Sequence, residues 1–87
     1  MTLYEQIYHA INGKKSINRV AFKNHIFYIS IYLDSIVKSN KIYCFSVTHK
    51  ILNDWEEIKE GRYQKIDLDH VIQEIKKSII QTILENN

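Results

Sequence analysis

Residues 25–33 alternate strictly between two kinds of side chain, and this run narrows the available folds more than any other. In an extended strand His25, Phe27, Ile29, Ile31 and Leu33 point one way, and Ile26, Tyr28, Ser30 and Tyr32 the other, because successive side chains of a strand face opposite sides. The first set is the better core face. Lys23-Asn24, just before it, reads as a tight turn, since Asn tolerates positive φ. A two-residue turn there pairs Phe22 with His25 and Val20 with Phe27, which puts Val20 and Phe22 on the same core face. After a polar connection over residues 34–40, residues 41–49 alternate again, with Tyr43, Phe45 and Val47 opposed by Ile42, Cys44, Ser46 and Thr48. Three antiparallel strands joined as a meander are the natural result.

Helices flank the strands. Thr2 and Glu5 have the spacing of a capping box, and Gly13 stands where a left-handed C-terminal cap would sit, which predicts a helix over residues 3–12. Its Leu3, Ile7, Ala10 and Ile11 form one stripe that needs a sheet to cover it. At the other end Asp67 is placed to cap a long helix whose Leu68, Val71, Ile72, Ile75, Ile79, Ile80, Ile83 and Leu84 share one broad side. That arc looks wider than one side of a small sheet can cover, so a homodimer through the C-terminal helix is expected. Between sheet and helix, Ile51, Trp55 and Ile58 have helical spacing, Asn53 and Glu56 suit a cap, and Gly61 suits an end. A short helix or extended segment around Trp55 is preferred over the competing turn at Asn53-Asp54 with a fourth strand. The expected fold is α+β, a single small domain over residues 1–87.

Composition bounds the rest. A formal charge of +2 lies far below the basic excess of a dedicated nucleic-acid binder. A single Cys44 permits no intramolecular disulfide, which fits a reducing cytoplasm. The N-terminus lacks the pattern of a secretion signal, and the longest apolar-rich stretch, residues 26–33, is shorter than the roughly 20 residues a membrane helix needs. Ile, Lys, Asn, Tyr and Phe, all with AT-rich codons, make up 42 of the 87 residues, a usage that fits a low-GC genome, a phage or a plasmid.

Among residues able to do chemistry, His25 and His49 form the most specific pair. A connection centred near Val37 sets them opposite one another at one end of the sheet, with Asp54 or Glu56 as a conceivable third ligand. Solvated strand-end histidines are the commoner outcome. His9 and His70 have helix-end explanations, Asp67 and Asp69 read as a helix start, and Cys44 lacks an activating neighbour. Gly13 and Gly61 are too far apart to form a phosphate-binding loop. No catalytic residue, metal ligand or cofactor is therefore assigned, and the chain is not expected to be an enzyme.

The second side of the sheet is the more informative surface. Tyr28 and Tyr32 alternate there with Ser30 and can be joined by Arg19, Ile17 and Ile42; Tyr, Trp and Arg carry a disproportionate share of binding energy. Arg19, Tyr28, Tyr32 and Trp55 are the expected partner-binding residues. The expected function is a small non-catalytic protein-binding module, of the kind a phage or mobile element uses to inhibit or adapt a host protein. The alternative is a nucleic-acid-binding regulatory module using Lys14, Lys15, Arg19 and Lys23 of the first hairpin together with the aromatic face. The plain alternative to both is that a helix covers the tyrosines and they are packing.

Overall fold

A computed structural model describes residues 1–86. The chain runs α1 (Leu3–Asn12), β1 (Ile17–Phe22), β2 (His25–Val37), β3 (Asn40–Ile51), β4 (Asp54–Tyr63), one 3₁₀ turn (Lys65–Asp67) and α2 (Leu68–Glu85). The strands form one antiparallel sheet in the order β1-β2-β3-β4. The fold is α+β as expected, with a fourth strand where the sequence suggested a helix or turn.

The first hairpin follows the sequence reading residue for residue. Lys23 and Asn24 both take positive φ, and Phe22 pairs with His25 and Val20 with Phe27. The first helix is capped as expected: the Thr2 hydroxyl accepts from the Glu5 amide, and the Glu5 carboxylate accepts from the Thr2 amide. Gly13 differs from its expected left-handed cap, since its φ of −86° is ordinary extended backbone. What excludes a side chain there is space, because a Cβ would lie 2.6 Å from the His9 carbonyl oxygen. Asp67, expected to cap α2, makes no capping hydrogen bond.

The connection over residues 34–40 contracts to a two-residue turn at Lys38-Ser39, and both flanking strands lengthen into it. With Val37 paired to Asn40 and a bulge between Leu33 and Ser35, Phe27 lies opposite His49 and not opposite Val47. The register thus differs by two residues from the one expected, a shift that keeps each side chain on its face.

β4 corrects the reading of residues 50–61. Trp55 pairs with Lys50, and a bulge opposite the Val47-Thr48 step inserts Ile58. Ile58 packs against the core and Trp55 lies on the other face beside Tyr28, so their spacing of three marks opposite faces of a strand and not one stripe of a helix. Gly61, expected to end that helix, lies opposite Phe45 in the sheet. A Cβ on it would meet the Phe45 ring at 2.9 Å, so Gly is what lets the ring lie flat over β4.

Both helices cover one face of the sheet. Leu3, Ile7, Ala10 and Ile11 of α1 and Val71, Ile72, Ile75, Ile79 and Ile83 of α2 pack with Val20, Phe27, Ile29, Phe45, Val47 and Tyr63. Each fully buried aliphatic or aromatic side chain contributes about 1.5–3 kcal/mol. Polar contacts also join the layers. Tyr63 donates its hydroxyl proton to the Ile11 carbonyl at 2.9 Å, and burial, then Tyr43, pushes its pKa up to about 12. Gln6 bonds both the amide and the carbonyl of Ala21, so α1 occupies the outer edge of β1.

Candidate protein interface

The face turned away from the helices carries the predicted binding residues. In register across the sheet, Arg19 stands beside Tyr28, Tyr28 beside Thr48 and Thr48 beside Glu57. One row further on, Ile17, Ser30, Ser46 and Glu60 line up, and then Tyr32, Cys44 and Arg62. The expectation that a helix covers the tyrosines fails, because both helices pack on the opposite face. Tyr32 is 56% exposed and Trp55 46%.

The sheet brings Trp55 to Tyr28 from two strands away. The Tyr28 ring meets Trp55 edge-on, with centroids 5.0 Å apart and planes at 68°, the geometry aromatic quadrupoles favour. The Lys50 ammonium sits 5.7 Å from the Trp55 ring centre. Tyr28, Trp55 and Lys50 therefore form a preorganised patch with Arg19 at its β1 side. Tyr32 lies two strand periods beyond, across the Ser30 row, on the same face but apart from that patch. Asp34 accepts from Arg62 Nε at 3.0 Å, reaching over the sheet beside Tyr32. Ser46 donates to Glu57 at 2.5 Å. The charges of this face, Arg19, Lys50 and Arg62 against Glu57 and Glu60, are mixed in sign.

Sequence reasoning missed Lys50, whose place over Trp55 depends on the fourth strand. It also missed how far the second hairpin carries exposed apolar side chains: Ile36 and Val37 were read as a loop, and Leu33, expected on the core face, is exposed. The basic residues expected to cluster at the first hairpin are spread along β1: Lys14 and Lys15 precede the strand, Arg19 lies within it, and Lys23 is at its far turn.

The two histidines do meet, though by a diagonal contact and not as direct partners. His25 Nδ1 and His49 Nε2 lie 3.0 Å apart, so one ring must donate to the other. His49 is 2% exposed, Phe27 stacks on it with centroids 4.8 Å apart, and its Nδ1 has no hydrogen-bond partner. Burial, then His25, lowers the His49 pKa, while Glu56, its neighbour on β4, opposes the shift. Among the described residues no three His, Cys, Asp or Glu side chains converge to hold a metal ion. No helix there is long and apolar enough to cross a membrane. Compared with family models, curated proteins and solved structures, the chain matches none.

Proposed function

We propose that this chain is a small non-catalytic protein-binding module whose working surface is the helix-free face of the sheet. The observation that carries the reading is the Tyr28–Trp55 pair, large amphipathic side chains held in fixed geometry on a face that no element of the chain covers. Rigid aromatics of this kind bind at low entropic cost and anchor most of an interface's energy. The mixed charges around them favour a protein over a polyanion, whose recognition needs a surface of one sign. The AT-rich residue usage fits a phage or mobile element, where inhibiting or adapting a host protein in a reducing cytoplasm is a natural task.

The test is a tagged pull-down from lysate of a low-GC bacterium, with and without nuclease, comparing the wild type with the Tyr28→Ala/Tyr32→Ala double variant. The expected result is a single protein that survives nuclease and is lost from the double variant, whose circular dichroism stays that of the wild type. Two anchors removed should weaken binding by roughly tenfold or more each. Capture that is unchanged in the variant removes this face from the proposal. The nucleic-acid reading rests on Lys14, Lys15, Arg19 and Lys23; it requires recovery that collapses with nuclease and an affinity that falls steeply with salt.

A further inference from the structure

One stretch of the sheet's edge is neither paired nor guarded by a row of charges. β1 pairs with β2 only as far as Ser30, and the last link on that side is the Ile31 amide donating to the Ser16 carbonyl at 2.8 Å. β2 continues to Val37, so the outer edge of residues 32–37 faces no strand. The other edges are managed. Gln6 bonds the free edge of β1 at Ala21, and β4 carries Glu56, Lys59, Glu60 and Arg62, charges that discourage strand pairing. The free part of β2 has a single charge, Asp34, and Arg62 already holds it. Its other large side chains are apolar and exposed on both faces of the strand, with Tyr32 and Val37 on one side and Leu33 (47%) and Ile36 (60%) on the other.

We propose that a second copy of this chain fills this edge, residues 32–37 of two protomers pairing antiparallel so that two four-stranded sheets become one. The sequence of the segment, Tyr-Leu-Asp-Ser-Ile-Val, is chemically symmetric about its centre. A two-fold axis between Asp34 and Ser35 sets Tyr32 opposite Val37, Leu33 opposite Ile36, and Asp34 opposite Ser35 of the partner. Side chains paired across a sheet must lie on the same face, and in a regular strand this register would fail. The bulge between Leu33 and Ser35 rescues it, because it puts Asp34 and Ser35 on one face and so makes the two halves of the segment match. The length fits as well: the partner's turn, beginning at Lys38, arrives opposite Ile31, where Ser16 takes over the edge. Charge does not oppose the pairing, since each Asp34 is neutralised within its own protomer. A two-fold contact of this kind is self-complementary, as closed dimers require.

The experiment is sedimentation velocity from 1 to 200 μM on the wild type and on Ile36→Lys, with hydrogen exchange of the wild type at the two ends of that range. The expected result is a shift from 10.4 kDa to twice that mass with rising concentration. Ile36→Lys should weaken the dimer by at least tenfold, with unchanged circular dichroism. The amides of residues 32–37 should gain protection only at high concentration, a readout that needs no variant to fold. A wild type that stays monomeric throughout overturns the proposal. So does a dimer that Ile36→Lys leaves intact, or one that Leu84→Lys on α2 abolishes while the amides of β2 stay unprotected.

Discussion

His49 is a core side chain whose charge the fold has to suppress. Its ring stacks on Phe27 and shares a hydrogen bond with His25, with Glu56 the facing acid on β4. Burial and His25 lower its pKa from the ordinary 6.5, so the folded chain binds fewer protons than the unfolded one just below that value. Linkage then fixes the sign: the stability is fully present above about pH 6.5 and is lost as the pH falls from there toward the lowered folded value. Urea midpoints measured between pH 8 and pH 4.5 should show this acid loss, and His49→Leu, which keeps the packing volume and removes the titration, should flatten its upper part. Equal slopes in the two proteins would locate the proton uptake elsewhere. That His25 and His49 come together at one end of the sheet was legible from alternation and a connection centred near Val37, although the direct pairing read from them is not the one formed. What alternation cannot give is their diagonal geometry, which depends on the length of the Lys38-Ser39 turn and the bulge at Asp34.

At the scale of elements, the turns decide where strands stop. Lys23-Asn24 was readable because Asn tolerates positive φ, and the first hairpin fell into register from that one fact. Lys38-Ser39 carries no such signal, so the second hairpin read as a loop; Asn53 does suggest a turn, one residue beyond the observed Leu52-Asn53, but the helical spacing around Trp55 favours a helix over a fourth strand. Arg19, Tyr28 and Tyr32 share one face as expected, since a slip of two preserves faces; the Trp55 contact with Tyr28 was out of reach without the third turn. Leu52 is where that turn is strained. Its φ is 52°, a conformation that costs a residue with a Cβ about 1–2 kcal/mol, and its side chain is exposed, so nothing is lost by removing it. Leu52→Gly should therefore stabilise the protein by about 0.5–1 kcal/mol after Gly's own chain entropy is set against the relief. The check is a higher urea midpoint at unchanged slope. A lower midpoint would mean that the Leu52 side chain makes contacts worth more than the strain.

At the scale of the molecule, the sheet is local and its cover is not. Each strand pairs with the next through a two-residue turn, whereas the layer that buries the core comes from the two ends of the chain. α1 and α2 meet where the Tyr4 hydroxyl donates to Asp69 at 2.8 Å, and Tyr63 ties β4 back to Ile11. Ile7, Ile72, Ile75 and Ile79 are all completely buried in that shared layer, so neither helix has a core of its own to retreat to. The chain should then unfold as one unit. For a domain of this size total stability is roughly 4–13 kcal/mol, and Ile7→Ala should remove about 2–5 kcal/mol of it. Two probes sit at opposite ends of the argument: far-ultraviolet circular dichroism reports the helices, and Trp55 fluorescence reports the helix-free face of β4. In urea the two curves should coincide for the wild type and, at a lower midpoint, for Ile7→Ala. If the dichroism of Ile7→Ala falls while Trp55 stays native, α1 detaches from an independently stable sheet, and the core is not the single shared layer these contacts describe.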